Sequence, residues 1–466
     1  MTTKLRIWLG LDKLELIWFE KLLLLAPIAI WFSYRPLLRL GQDETMYFEL
    51  SVAMIYLLIL ALSGLGVIFD NRKELLKDKA AWVAGFFILL GLISLAWTPN
   101  IIRGVLTVGV GGLLYIVLLA CLARARELKQ LLPALVKLYV VSAVAMSLLA
   151  LLQMIAGIWL APDLTLLCAG CVAEQFGFAR PNVFAIEPQF FGSLLLFPAL
   201  FLTWRSMFER WNKPEITSLM IVVTGLFLTM SRGAIFAFAL GVSVLIAIRF
   251  TRYYAWLKTG GLLVASFAIS LAIQGVVTAV NPNIDETFVG ATSKVINQMT
   301  LGVIDISPEE APVEQATPEA EATAKVPVRD GYVEESTDIR VNRSSLALQT
   351  WADNPASVVA GVGIGGAGVA VWQKFPDKTG AREIVQNQYV ETLLEQGLIG
   401  LMVFVAMLAA VFVSTRSDKW LWAILAAFMF QWLFFSGYPN LIHVYLVLII
   451  VYATARHVRL SPAKRY

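Results

Sequence analysis

Residues 52–98 read VAMIYLLILALSGLGVIF, then DNRKELLKDKA, then AWVAGFFILLGLISLAWT. Two apolar runs flank an insert that holds Arg72, Lys73, Lys77 and Lys79. At 1.5 Å per residue, each run approaches the roughly 30 Å of a bilayer's hydrocarbon core. Lipid offers the backbone no hydrogen-bond partner, so a run of this kind reads as a helix. The alternating polar and apolar residues of a membrane β-barrel strand are absent.

The same pattern extends in both directions. Further helices are expected at 17–34, 104–122, 133–157, 189–204, 215–230, 233–249, 259–280, 393–414, 419–436 and 440–455, beside those at 47–69 and 80–98. Composition agrees. Of 466 residues, 58% are hydrophobic and only 15% charged, with mean hydropathy +0.73, whereas a soluble domain keeps about 25% charged. The fold class expected is an all-α integral membrane protein with about twelve spans. A formal charge of +4 gives no reason to expect a nucleic-acid partner. The first apolar run has no small-residue cleavage site, so it reads as a span and not as a removable signal peptide.

Charge orients these spans. Alternate connections collect Lys4, Arg6, Lys13 and Lys21, then Arg72 to Lys79, then Arg124, Arg126, Lys129 and Lys137, and so on to Arg456, Arg459, Lys464 and Arg465. The other short loops hold only Arg35, Arg39, Arg103, Arg180 and Arg232. Positive residues accumulate on the cytoplasmic side, which places both termini inside. The organisation expected is residues 1–280 as the first nine spans, 281–392 as a large periplasmic loop, and 393–466 as the last three spans and a cytoplasmic tail. Within the loop, 305–338 is rich in Pro, Ala and acids and is expected to be disordered. Residues 340–392 are expected to be ordered.

The informative charges stand on the outer side. Arg232 follows Ser231 where one span surfaces and the next begins. Ser231 is a candidate N-cap, and a helix N-terminus beside an arginine suits a phosphate or diphosphate. Snorkelling at the interface is the plainer role for Arg232. Arg180 lies in an outer segment that reaches Glu187 near a span entrance, where an ionisable residue suggests function. A structural pairing of Glu187 with Arg180 or Arg232 accounts for it equally well. In the large loop, Arg340 and Arg343 precede a helical stretch, Asn354-Pro355 and the run Gly361–Gly368. That run is outside the cell and lacks a βαβ context, so it does not read as a nucleotide fingerprint. Gln386-Asn387 then leads into the tenth span.

Cys168 and Cys171 are expected to be a local disulfide or two small loop residues, because a redox motif needs a thioredoxin-like surround. No His, Cys or Asp cluster has metal-ligand spacing. His457 falls in the tail, and His443 lies just inside the last span, where it can serve as a helix-packing hydrogen bonder.

With these motifs in order, the chain resembles the O-antigen ligase and polymerase superfamily of bacterial membrane glycosyltransferases. Ser231-Arg232-Gly233, the series from Arg340 through Pro355 to Gly365, and Asn387 through Leu401 carry the likeness. Phe184 to Phe191 also resembles a segment of exopolysaccharide polymerases. The resemblance implies a GT-C-like, metal-independent enzyme of the bacterial inner membrane without a cofactor. It would take glycan from undecaprenyl diphosphate and join it to a glycan or lipid acceptor hydroxyl at the periplasmic face. It implies Arg180, Ser231, Arg232, Arg340 and Arg343 around the diphosphate, where arginine forks neutralise the leaving charge. Glu187, Gln386, Asn387 and His443 are its candidate catalytic residues.

The chain departs from the pattern at one position. Ligases of the family commonly have His-Asn where this chain has Gln386-Asn387. Glutamine orients a hydroxyl but takes no proton. Either Glu187, Glu383 or His443 is the base, or the transfer needs little base, or the ligase reaction is absent. This weights the reading towards a polymerase or another glycan transferase. The alternatives from other classes are a transporter or flippase of lipid-linked sugars, which usually shows inverted repeats and discontinuous helices, and a non-catalytic scaffold.

Overall fold

The computed structural model describes residues 3–12, 14–33, 36–40, 48–159, 180–185, 187–209, 212–248, 253–280, 289–290, 292–293, 337–381, 383–436 and 441–460. Among them the chain is overwhelmingly helical. The helices are α1 (Thr3–Leu9), α2 (Trp18–Leu23), α3 (Ala26–Ala29), α4 (Val52–Leu75), α5 (Lys79–Ser94), α6 (Ile101–Ala123) and α7 (Ala125–Trp159). They continue with α8 (Pro188–Phe208), α9 (Lys213–Leu228), α10 (Arg232–Ile248), α11 (Tyr253–Val280), α12 (Thr337–Trp351), α13 (Pro355–Ala360), α14 (Ala367–Lys374), α15 (Gln388–Ser414), α16 (Leu421–Gln431) and α17 (Ile442–Leu460).

Among the described residues, six helices are long and apolar enough to cross a membrane: α4, α6, α7, α8, α11 and α15. Helices α5, α10 and α16 and the Ile442–Arg456 part of α17 are apolar but shorter. The expected run 17–34 is not one helix. Pro27, in the first turn of α3, has no N–H to continue α2, and the chain resumes as α3 and a 3-10 turn over Ile30–Phe32. A short antiparallel ribbon also interrupts the helices, with β1 (Pro36–Leu40) paired to β2 (Phe48–Ser51). Ser51 then caps α4 by accepting the N–H of Met54 at 3.2 Å, so this helix starts later than the expected 47.

The chain divides into two compact units. The first comprises residues 1–142, 239–249 and 335–466. In it α4 lies against α6 at Gly64, where an added Cβ would sit 2.8 Å from the Ala120 Cβ. Small residues of this kind let membrane helices approach closely. Two buried acids fasten the apolar bundle. Glu20 accepts from Arg124 at 2.8 Å, and Asp78 caps α5 while pairing with Arg456 Nε at 2.6 Å. Helices α12 and α14 share a small apolar core with the start of α15, Leu346, Ala347, Ala367 and Val371 packing with Val385 and Leu394.

The second unit comprises residues 143–238 and 250–334. There α8, α9 and α11 pack together, and α8 is buried on nearly every side, as a helix apolar all round should be. Of the stretch expected to be disordered, 305–336 lies outside the described residues, as do Cys168 and Cys171 and the side chain of His457.

Candidate functional site

In the second unit the site is a turn held by a neighbouring segment. Helix α9 ends at Leu228, and Thr229 Oγ1 donates to the Leu226 carbonyl at 2.7 Å. The same hydroxyl accepts the N–H of Ser231 at 3.2 Å. Met230, between them, has φ +46°, a left-handed conformation that costs an L-residue about 1–2 kcal/mol. Ser231 is buried and its Oγ accepts from Ala234 N at 3.5 Å, the N-cap position expected for it. Arg232, partly buried, opens α10.

Arg180 reaches this turn from the segment before α8. Its side chain is 0% exposed, and Nε donates to the Thr229 carbonyl at 2.9 Å. The segment is itself pinned. Gln153 Nε2 donates to Asn182 Oδ1 at 2.7 Å, and Gln153 Oε1 accepts the N–H of Asn182 and of Val183. Val183 has φ +53°, which is unusual for a β-branched residue. Glu187 occupies the N-cap position of α8 ahead of Pro188. Its carboxylate does not cap, and the residue is 8% exposed. Thus Arg180 and the Thr229–Ser231 turn are brought together.

In the first unit the site is built on the C-terminal end of α16. The last carbonyls of a helix have no partner within it. Here Met429 O accepts from Tyr389 Oη at 2.9 Å and Trp432 O from Gln388 N at 2.9 Å. Leu433 O accepts from Asn387 Nδ2 at 3.2 Å and Phe434 O from Arg340 Nη1 at 2.9 Å. Arg340 and Asn387 therefore meet at one helix end, where a cation also suits the helix dipole. Asn387 is in addition the N-cap of α15, its Oδ1 accepting from Tyr389 N and Val390 N. Gln386 has φ +63° and is buried, and its side-chain amide makes no hydrogen bond to the described residues. Arg343 bridges to Glu383 at 2.9 Å. His443 is fully buried in the first turn of α17.

Three residues of this unit were not singled out by sequence. Glu391 and Glu395 follow Asn387 at successive turns of α15 and are both buried. Arg103, in the first turn of α6, donates to Glu391 Oε1 at 3.2 Å. Two acids four residues apart at the start of an apolar helix were a legible signal. A mostly apolar cleft of about 120 Å³ lies between α5, α6, α15 and α17, lined among others by Ala84, Gly111, Phe404, Ala410 and Tyr445, with Gln388 in its wall. No cluster of three or more His, Cys, Asp or Glu among the described residues could hold a metal ion.

Residues 217–405 match the family model described as O-antigen ligase. This O-antigen ligase domain supports placing the chain in the O-antigen ligase and polymerase superfamily. The O-antigen ligase domain takes in the Ser231-Arg232 turn, Arg340, Arg343, the Gln386-Asn387 pair and both buried acids, while Arg180, Glu187 and His443 lie outside the matched range. No curated protein gives a significant match to the chain. With its apolar helices, the domain makes this a multi-helix membrane protein of the O-antigen ligase and polymerase type.

Proposed function

We propose that this protein is a glycosyltransferase of the bacterial inner membrane. It moves glycan from undecaprenyl diphosphate to an acceptor hydroxyl at the periplasmic face, acting as a polymerase in preference to a lipid A–core ligase. Its chain crosses the membrane about twelve times with both ends in the cytoplasm, and residues 281–392 form its outer loop.

One observation carries this reading. Among the described residues, the non-glycine residues with positive φ are Val183, Met230 and Gln386. Val183 lies in the segment Arg180 to Glu187 and Met230 directly precedes Ser231-Arg232, both singled out by their charges, and Gln386 belongs to the Gln386-Asn387 pair singled out by the family resemblance. Such conformations cost about 1–3 kcal/mol and collect at functional sites. Their coincidence with these segments supports the assignment of all three to substrate.

In the proposed reaction the acceptor oxygen bonds to the anomeric carbon as that carbon's bond to the diphosphate breaks. The electron pair leaves on the diphosphate, whose charge an arginine neutralises, a task the family resemblance gives to Arg232. Gln386 holds the acceptor hydroxyl through its unengaged amide. The diphosphate is a good leaving group, so the hydroxyl proton can pass to water late in the reaction. The cleft between α5, α6, α15 and α17 admits the lipid's hydrocarbon chain.

The test gives purified protein in liposomes an undecaprenyl-diphosphate oligosaccharide. Lengthened or transferred glycan is expected, and movement between leaflets without product would replace this reading with a transporter. Glycan profiles from cells lacking the gene separate the two enzymes. A polymerase leaves single units on the acceptor, whereas loss of all glycan from it marks a ligase.

A further inference from the structure

The run Gly361–Gly368 begins with seven consecutive N–H groups, Gly361 to Ala367, and each has an acceptor within the chain. Gly361 donates to Ser357 O, Val362 to Leu394 O, Gly363 to Glu395 O and Gly366 to Gly363 O, at 2.8–3.1 Å. Ile364 donates to Ser94 Oγ at 3.1 Å. Of the remaining two, Ala367 donates to Glu395 Oε1 at 3.4 Å, and the Gly365 N–H faces the same carboxyl group. Converging N–H groups of this kind make an anion-binding nest. In this chain the nest already holds the protein's own carboxylate.

The turn is also gripped by backbone on both sides. A Cβ on Gly363 would lie 2.5 Å from Thr98 Cα, and one on Gly365 2.5 Å from Gly104 N. A Cβ on Gly361 would strike the Glu395 carbonyl. Thr98 Oγ1 adds a bond to Ile364 O at 2.9 Å. The turn is therefore fixed to the α5–α6 connection before Glu395 takes hold of it.

Glu395 belongs to a short piece of helix. Gly397, at φ +66° and ψ −167°, breaks α15 into residues 388–396 and a long apolar remainder. The short piece cannot inherit its direction from the long one. It starts at Asn387, directly after Gln386, and Asn387, Glu391 and Glu395 follow at intervals of four along one face.

We infer that Glu395 is a positioning residue for the acceptor site, locking the half-helix 388–396 to the glycine turn and so aiming Gln386 and Asn387. This rests on the glycosyltransferase reading. The Arg103–Glu391 pair, one turn nearer Asn387, braces the same piece against α6.

The experiment uses full-length protein in liposomes, with undecaprenyl-diphosphate oligosaccharide as donor and acceptor. It measures transfer rate, affinity for undecaprenyl diphosphate and thermal melting. Glu395→Ala is expected to lower transfer on the order of 100-fold, the cost of a small misplacement of a reacting group, with donor affinity unchanged. Glu395→Gln keeps one acceptor oxygen and loses about tenfold. Transfer at the wild-type rate in either variant overturns the inference. So does a parallel fall of transfer, donor affinity and melting temperature, which marks a merely structural residue. If Glu395→Ala does not insert, Glu395→Gln decides alone by the same measures. An inactive wild type overturns the glycosyltransferase reading itself, and the inference with it.

Discussion

Arg180 Nε donates to the carbonyl of Thr229 at 2.9 Å, and the residue that follows this carbonyl, Met230, is left-handed with φ +46°. An arginine expected to hold diphosphate thus spends a donor on the turn that launches Arg232. Its complete burial fits that task. The two arginines should therefore fail differently when removed.

Arg180→Ala strands a buried carbonyl and is expected to cost about 1–3 kcal/mol of stability. Arg180→Lys should not rescue it, because an ammonium lacks the planar Nε donor. Arg232→Ala is expected to lower transfer by roughly 100-fold or more. Melting curves in detergent and transfer assays on the same samples check both. Equal melting temperatures for Arg180→Ala and wild type would remove the role given to Arg180.

Gln386→His tests whether proton removal limits the reaction. Histidine at this position would add a base that glutamine cannot supply. Because the proton leaves late, the rate should stay close to wild type, with no added rise between about pH 5.5 and 7.5 as the imidazole loses its proton. The measurement is initial rate against pH for variant and wild type. A rate that climbs with imidazole deprotonation would show instead that proton removal limits the step.

Two glycines of α4 make a paired test of packing. A methyl at Gly64 would crowd Ala120 Cβ at 2.8 Å, whereas Gly66 has nothing within 4 Å. Gly64→Ala is expected to cost about 1–3 kcal/mol. Gly66→Ala should be neutral or gain up to about 1 kcal/mol from helix propensity. Thermal melting of the two variants decides, and equal values would contradict the close α4–α6 contact.

Ala410→Trp would fill part of the cleft between α5, α6, α15 and α17. Transfer from a full-length undecaprenyl donor should fall, because the hydrocarbon chain loses its room, while a short-chain donor is affected less. A kinetic comparison of donors of two lengths checks this. Equal losses with both would take the lipid chain out of the cleft.

The helical character of the chain was legible because apolar runs have only one good solution in lipid. The breaks inside those runs were less so. Pro27 splits the first run although hydropathy continues across it, and Gly397 breaks α15 just after Glu395-Gln396, where a single glycine is equally compatible with an unbroken helix. Segments carrying Arg232, Arg340 and Asn387 were recognisable from residue type and order. Their partners were not, because Thr229 O, Phe434 O and Leu433 O are backbone atoms available at any residue. The Arg103–Glu391 pair joins positions 288 residues apart, a distance that no local pattern encodes. Glu391 and Glu395 themselves were visible as acids entering a span, and the family motif drew attention to the glycines beside them instead.

Helix α16 has 11 residues, about 16 Å of rise, or roughly half of a bilayer's hydrocarbon thickness. The turn directly after it, Trp432 to Phe434, supplies the carbonyls that hold Gln388, Asn387 and Arg340. A helix that rises from the cytoplasmic surface and stops short leaves these groups recessed beneath the periplasmic face where transfer is proposed. In such a recess bulk water is scarce, and water is the rival nucleophile for any activated sugar. A short helix in this place would favour passing glycan to a chosen hydroxyl over losing it to hydrolysis.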